Sequence, residues 1–205
     1  MNPDDRLVGI AERKRALRRE ARARRAELTI GARAAASRDA SWHVLRHLPW
    51  RDRPKVSVSW PLADEVDTRP LLHALHWLGA EPLLPRMQGW GRPLVFHRWR
   101  PEMPLVEGPM RVLEPAPDLP AVMPEIVLAP LLAFDRRGRR LGYGAGFYDM
   151  TFVAIAAAGG TPVRAGLAFA CQEVDAVPAD DTDVPLELVV TEAGCLPAEG
   201  PPSFP

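Results

Sequence analysis

The 205-residue chain carries 26 basic and 26 acidic side chains, so its formal net charge is zero, without the global bias expected of a binder of nucleic acid or anionic membrane. Its 47% apolar and 25% charged content is that of a globular protein, and its length suits one domain with a sizeable core. Two cysteines, Cys171 and Cys195, do not make a disulfide scaffold and point to a reducing cytoplasm, and no apolar run approaches the ~20 residues of a spanning helix.

Charge is uneven along the chain: residues 11–38 are dense in arginine and Asp175 to Glu199 is acidic. The arginine-rich start is not read as a transit peptide, because it contains Asp4, Asp5, Glu12, Glu20 and Glu27. Residues 10 to about 28 read as a helix of strong helix formers, with a narrow apolar face of Ile10, Leu17, Ala21 and Leu28. Gly31 marks its end. Lys14 and Arg18 are i,i+4 partners on one face. A second helix runs from Ala34 to Leu48, closed by Pro49 and Pro54.

Lys55–Trp60 alternates polar and apolar residues as a strand does. The turn Leu62–Thr68 leads to a helix from Arg69 to Leu78, with Asp67 or Thr68 as cap and Pro70 in its first turn. Glu81–Pro85 is a short buried strand, which completes a βαβ unit. Pro93–Trp99 alternates again. Pro101–Pro124 is extended loop with a brief strand near Met110–Leu113. Glu125–Ala129 is a buried strand, a helix spans Phe147 to Ala158, and Pro162–Phe169 is a further strand. Cys171–Val177 and Leu186–Thr191 are short strand candidates, and Pro197–Pro205 reads as a disordered tail.

The stretch from Phe134 to Asp149 organises the chain. It holds Gly138, Gly142, Gly144 and Gly146, Arg136, Arg137, Arg139 and Arg140, and both tyrosines, Tyr143 and Tyr148. Strand, glycine-rich basic loop, then helix is an arrangement that turns backbone N–H groups and a helix N-terminus toward phosphate. It is neither a P-loop nor a dinucleotide fingerprint, and by spacing alone the glycines could make only a tight turn. The arginines favour phosphate, and Asp149, just inside the next helix, suits Mg²⁺, which takes one or two carboxylates plus phosphate oxygens. Elsewhere the bland readings lead. The arginine-rich helix reads as a solvated face and Glu65 as a surface loop residue. Asp180, Asp181 and Asp183 read as an acidic loop able to supply a second metal carboxylate. Trp60, Trp90 and Trp99 read as core or lid packing, and the five histidines show no metal or triad spacing.

Taken together, these residues resemble the 5-formyltetrahydrofolate cyclo-ligase family (5,10-methenyltetrahydrofolate synthetases). The main signature reads Ala129-Pro130-Leu131-Leu132-Ala133-Phe134-Asp135, then Arg140-Leu141-Gly142-Tyr143-Gly144-Ala145-Gly146-Phe147-Tyr148-Asp149. Weaker blocks agree in order: Lys14-Arg15-Ala16-Leu17-Arg18, Glu65-Val66-Asp67-Thr68 before Leu84-Pro85, and Val177-Pro178, Asp183 and Val189-Val190-Thr191-Glu192. The resemblance implies an α/β fold, one three-layer domain over residues 1–196 with a mixed, mostly parallel, Rossmann-like sheet, on which the helices of 10–48 pack. It implies Mg²⁺- and ATP-dependent conversion of 5-formyltetrahydrofolate to 5,10-methenyltetrahydrofolate, releasing ADP and phosphate. By the same resemblance, Lys14, Arg18, Arg140 and Leu141 to Tyr148 hold ATP, with Arg140 and Tyr148 catalytic. Asp149 and Asp183 ligate the metal, and Arg18, Trp60, Glu65, Tyr143 and Phe147 line the folate site. The implied partners are the two small substrates, with no nucleic acid and no membrane, for a monomeric cytoplasmic chain. Three positions depart from the pattern: Met150 stands where Arg or Lys is common, Thr182 where His is common, and Phe147 where the first Tyr is common. The first two motivate the alternative of a catalytically silent member that binds folate or nucleotide as a regulator.

Overall fold

The alternation read from the sequence resolves into a seven-stranded sheet with helices on both faces. The computed structural model describes residues 3–48, 52–62 and 64–199. Two helices come first, α1 (Pro3–Ala26) and α2 (Ile30–His47). Then follow β1 (Lys55–Val58), α3 (Arg69–Trp77), β2 (Glu81–Arg86), β3 (Val95–Arg98) and a small hairpin of β4 (Val106–Glu107) and β5 (Leu113–Glu114). The second half has β6 (Ile126–Pro130), a hairpin of β7 (Ala133–Phe134) and β8 (Arg140–Leu141), α4 (Phe147–Ala157), β9 (Val163–Leu167), β10 (Leu188–Thr191) and β11 (Gly194–Pro197).

The sheet runs β11-β10-β9-β6-β1-β2-β3. Its five central strands are parallel, and β3 and β11 close the edges antiparallel. Parallel strands must be buried on both faces, which the run Ile126-Val127-Leu128-Ala129 satisfies. Ile126 and Leu128 pack with Ala40 and Val44 of α2 and Leu71 and Leu75 of α3. Val127 and Ala129 point the other way, onto Phe152 and Ile155 of α4. The layers are therefore α2 and α3, the sheet, and α4. Helix α1 stands apart, with Ala21 packed on Leu132, Ala133 and Leu141. Among the described residues no helix is long and apolar enough to cross a membrane.

Several boundaries move for physical reasons. Helix α1 begins at Pro3, a residue type tolerated in a first helical turn. Gly31 does not end it. Thr29 instead starts α2 four residues before Ala34, its Oγ1 accepting the Ala32 N–H at 3.1 Å. Helix α2 stops at His47, and Pro49, expected to close it, lies outside the described residues. The brief strand near 110–113 is a hairpin of two short strands. Cys171–Val177 does not form a strand: Ala170–Gln172 is a single 3₁₀ turn. There the Gln172 side chain accepts from Phe169 N at 2.8 Å and donates to Leu131 O at 2.7 Å and Leu132 O at 3.1 Å, which meets backbone groups that a ladder would have used. Strand β11 occupies 194–197, so the tail expected from 197 begins as sheet. Pro197 is tolerated because the strand is an edge, and residues 200–205 lie outside the described set.

At the centre of β9, a Cβ added to Gly166 would lie 2.8 Å from both Leu131 Cδ2 and Leu186 Cδ1. Gly166→Ala is expected to destabilise the fold by about 1–3 kcal/mol through overpacking. Thermal melts compare the two chains, and an unchanged melting temperature would show that the leucines can make room.

Candidate active site

Between β1 and β6 the sheet changes direction: the chain leaves β1 for β2 on one side and β6 for β9 on the other. Such a switch point opens a crevice beyond the carboxyl ends of the strands. A cavity of about 310 Å³ lies there, bordered by Ser59 and Trp60 after β1, Pro85 and Met87 at the end of β2, and Pro130 closing β6.

One wall is α1. Lys14, Arg18, Ala21 and Arg25 recur at spacings of four, three and four, so they share a helix face. Lys14 Nζ donates to Asp180 Oδ2 at 2.8 Å and Asp183 Oδ2 at 2.6 Å. Burial acts to lower the Lys14 pKa, but these two bonds outweigh it and the ammonium is raised above its ordinary value. Arg18 Nε donates to Gly142 O at 2.9 Å. Its pKa is lowered by burial and by the neighbouring Arg22 and Arg15. Arg25, 1% exposed, gives Asp64 Oδ2 two bonds, at 3.1 and 2.7 Å, and reaches the Tyr143 hydroxyl at 3.0 Å.

The opposite wall is the glycine-rich loop between β8 and α4. Gly144 has φ +110°, and a Cβ there would stand 3.3 Å from the Arg18 guanidinium carbon, so only glycine lets the helix and loop meet. Gly146 caps α4 in the left-handed region, at φ +68°. Of the four arginines before the loop, only Arg140 borders the cavity. Arg136 pairs with Glu173, and Arg137 is exposed at the tip of the β7–β8 hairpin. The buried Asp135 shapes that tip by accepting from Arg137 N, Arg139 N and Val177 N, at 3.0, 3.1 and 2.9 Å. A four-arginine phosphate cluster is therefore not formed; the hairpin turns the other three away.

Arg140 is buried between the Tyr148 and Phe152 rings, 5.9 and 5.7 Å from their centroids, and its Nη2 donates to Asp149 Oδ1 at 2.7 Å. Its Nε is buried without a hydrogen-bond partner. Asp149 Oδ1 also accepts from Val184 N at 3.0 Å, which brings the acidic loop alongside it. Asp183 Oδ2 accepts from Asp180 N at 2.8 Å, and Thr182 donates its hydroxyl to Asp180 Oδ1 at 2.5 Å. Lys14 first, then Thr182, pull Asp180 down to about 2.

Glu65 enters from the turn after β1. Its Oε2 accepts from Leu62 N at 2.8 Å and its Oε1 accepts from the Tyr143 hydroxyl. Burial raises Glu65, against the Tyr143 bond and the Arg25 charge. Burial and the Glu65 charge push the Tyr143 hydroxyl up, and burial does the same for Tyr148. Trp60, Tyr143, Ala145 and Phe147 border the cavity, with Trp90 resting on Phe147 at 5.7 Å. Trp99 is core, edge-on to His73. The structure thus gathers Lys14, Arg18, Trp60, Glu65, Arg140, Gly142–Tyr148 and Asp149 around one space. Leu141 faces the core instead, and Asp183 reaches the site through Lys14. Not foreseen were Arg25, Asp64, Asp180 as a Lys14 partner and the apolar border of Met87, Leu94, Met110 and Val112. The helical spacing of Lys14, Arg18 and Arg25 was the available signal for the first.

Comparison with known proteins identifies the family. Residues 10–192 match the model of the 5-formyltetrahydrofolate cyclo-ligase family. The 5-formyltetrahydrofolate cyclo-ligase of Haemophilus influenzae is 31% identical over 180 residues, covering 85% of this chain and 95% of that protein. That of Escherichia coli is 33% identical over 175 residues, covering 83% and 95%. The structure of Aquifex aeolicus 5,10-methenyltetrahydrofolate synthetase superposes with a TM-score of 0.75 at 26% identity, covering 94% of this chain and 96% of that one.

The Lys14–Asp180 tie makes an acid prediction. Asp180 sits at about 2 against an ordinary 3.8, so its contribution to stability is present above the ordinary value and is lost as pH falls through about 2. In Lys14→Met, Asp180 is expected to titrate closer to 3.8, and stability to change less across that window. Carboxyl-carbon NMR titration reads this directly. An Asp180 still titrating near 2 would assign the depression to Thr182 instead.

Proposed function

The chain belongs to the 5-formyltetrahydrofolate cyclo-ligase family, and we infer that the cavity beyond β1 and β6 is where it converts 5-formyltetrahydrofolate to 5,10-methenyltetrahydrofolate, with ATP giving ADP and phosphate. One observation carries the assignment of the site. A single cavity is bordered by a phosphate-type wall of Lys14, Arg18, Arg140 and the glycine loop, and by a carboxylate, Glu65, set among Trp60, Tyr143 and Phe147.

An amide oxygen is a poor nucleophile and a poor leaving group, so phosphorylation is the activating step. The formyl oxygen attacks the γ-phosphorus, and the bond to the ADP oxygen breaks with its electron pair. The folate N10 then attacks the formyl carbon, gives up its proton, and phosphate departs. In-line phosphoryl transfer asks the protein mainly for position and charge stabilisation. Lys14 has three N–H donors and spends two on Asp180 and Asp183, which leaves one for a phosphate oxygen. Arg140, on the cavity border, has guanidinium donors beyond the one given to Asp149. Arg18 holds the loop backbone, and the Gly142–Gly146 segment lets phosphate approach that backbone closely. Tyr148 stays protonated and so acts as a donor at the reacting phosphoryl group. Glu65 accepts from the amino and N–H edge of the pterin.

Asp149 and Asp183 suit Mg²⁺ as a shared ion. Each has one oxygen engaged by donors, while the other takes no hydrogen bond among the described residues. Two carboxylates are too few for a protein cage, and no group of three or more such ligands occurs among the described residues. Two are enough for an ion completed by phosphate oxygens and water. Bound there, the ion would neutralise charge on the transferring phosphoryl group. The free Cys171 and Cys195 fit a reducing cytoplasm.

The test mixes the protein with 5-formyltetrahydrofolate, Mg²⁺ and ATP and follows the methenyl-folate absorbance together with ADP. Growth of both supports the assignment, and growth of neither removes it. Asp149→Ala is expected to lower turnover by roughly 10²–10³-fold, the scale of several kcal/mol of charge stabilisation, with the fold intact by circular dichroism. Glu65→Gln is expected to raise the folate KM about 10-fold or more and leave the ATP KM unchanged. A rise in the ATP KM alone would put Glu65 on the wrong substrate.

A further inference from the structure

Arg25 is among the largest fully buried side chains of the protein, yet it does not border the substrate cavity. Behind Glu65 lies a void of about 10 Å³, lined by Arg25, Ser59, Thr68 and Gln172 among others. That is room for one water at most, so Glu65 has no bulk solvent at its back. What it has is a relay. Arg25 Nη1 donates to the Tyr143 oxygen at 3.0 Å, Tyr143 donates to Glu65 Oε1, and Leu62 N donates to Oε2 at 2.8 Å. An arginine can only donate. The Tyr143 oxygen must therefore accept from it, and the phenolic hydrogen is left with Glu65 as its acceptor. The remaining donors of Arg25 clasp Asp64, next to Glu65 in the chain.

We propose that Arg25 is a positioning residue for the folate: by clasping Asp64 and orienting the Tyr143 hydroxyl, it holds the Glu65 carboxylate in place as an acceptor for the pterin. This rests on the reading of Glu65 as the folate contact. Because the relay ends on Glu65 and includes none of Lys14, Arg18 and Arg140, Arg25 acts on folate binding and not on the nucleotide. Glu65 is also faced by Asp64 beside it, by Tyr143 from the glycine loop, by Tyr148 from α4 and by Arg25 from α1. Of these, Arg25 and the Tyr143 bond favour its charged form, against burial and Asp64.

Kinetics of Arg25→Met, Arg25→Lys and Tyr143→Phe test the proposal. Asp64 is 41% exposed, so water can solvate it once Arg25 is gone and Arg25→Met is expected to fold. If melts show otherwise, Arg25→Lys and Tyr143→Phe carry the test. Each single variant is expected to raise the folate KM about 10-fold, and the two Arg25 variants are expected to do so with the ATP KM unchanged. A double variant at 25 and 143 is expected to be no worse than its poorer parent, since both break one relay. The acidic limb of kcat/KM for folate should move to higher pH in Arg25→Met and in Tyr143→Phe. Equal rises in both KM values, strictly additive effects, or an unmoved folate KM would overturn the proposal. Glu65→Gln separates the two levels. If it leaves the folate KM unchanged, the reading of Glu65 fails. If it raises that KM while the Arg25 variants do not, only the relay fails.

Discussion

Burying cations along one face of α1 obliges the loops around the cavity to come to them. A guanidinium or ammonium taken out of water must be met by acceptors or it destabilises the fold by several kcal/mol. Lys14 is met by the acidic loop, Arg18 by the carbonyl of Gly142, and Arg25 by Asp64 and Tyr143. Three segments far apart in sequence, at 64–65, 140–149 and 180–184, are thereby fixed against one helix. Helix α1 gains little from the sheet itself. Its buried apolar side chains among the described residues are Ile10 and Ala21, and Ala21, with half-buried Leu17 beside it, packs on the β7–β8 hairpin. Its position is specified by polar pairing, which is directional where apolar packing is not.

The parallel sheet sets where those loops can meet. Strands β1 and β6 end side by side at the point where the chain turns opposite ways, so the segments that follow them diverge and leave a crevice. Trp60 and Pro130 lie on its floor and α4 begins at its rim. The rim needs glycine for two separate reasons. Gly146 must adopt a left-handed backbone to start α4, and Gly144 must leave space for Arg18. Neither demand involves a ligand, yet together they leave the backbone of the loop bare to one.

The central strands were legible because their burial is continuous, and the glycine loop because its composition is unlike the rest of the chain. Thr29 as a cap and β11 as an edge strand were not. A four-residue strand ending in proline gives no periodic signal and depends on β10 as its partner, and Thr29 acts through one local bond to Ala32 N that leaves no pattern in the sequence. Among the site residues, Lys14, Arg18, Glu65 and Asp149 were reachable through motif order. Arg25 was hidden for a different reason: in an arginine-rich helix a buried arginine looks like its solvated neighbours, and only its phase on the helix separates it from the exposed Arg19 and Arg22. Arg136, Arg137 and Arg139 were over-read. Composition counts charges, but Asp135 and the hairpin decide which way they point.

Of the three positions that depart from the family pattern, Met150 and Thr182 are absorbed differently. Met150 joins the apolar cluster under α4 and adds no charge to the cavity. Thr182 takes on local work, tying Asp180 by its hydroxyl and its N–H so that the carboxylate stays turned to Lys14. The proposed phosphate wall is then electrically balanced, with Lys14, Arg18 and Arg140 set against Asp149, Asp180 and Asp183. A triphosphate arriving in such a wall meets no surplus of positive charge. It must either displace carboxylates from Lys14 and Arg140 or bring a cation with it. With Met150 supplying no extra cation after Asp149, a divalent ion between Asp149, Asp183 and the phosphates becomes the economical way to restore the balance. Methionine at 150 thereby makes the proposed site lean harder on the proposed divalent ion.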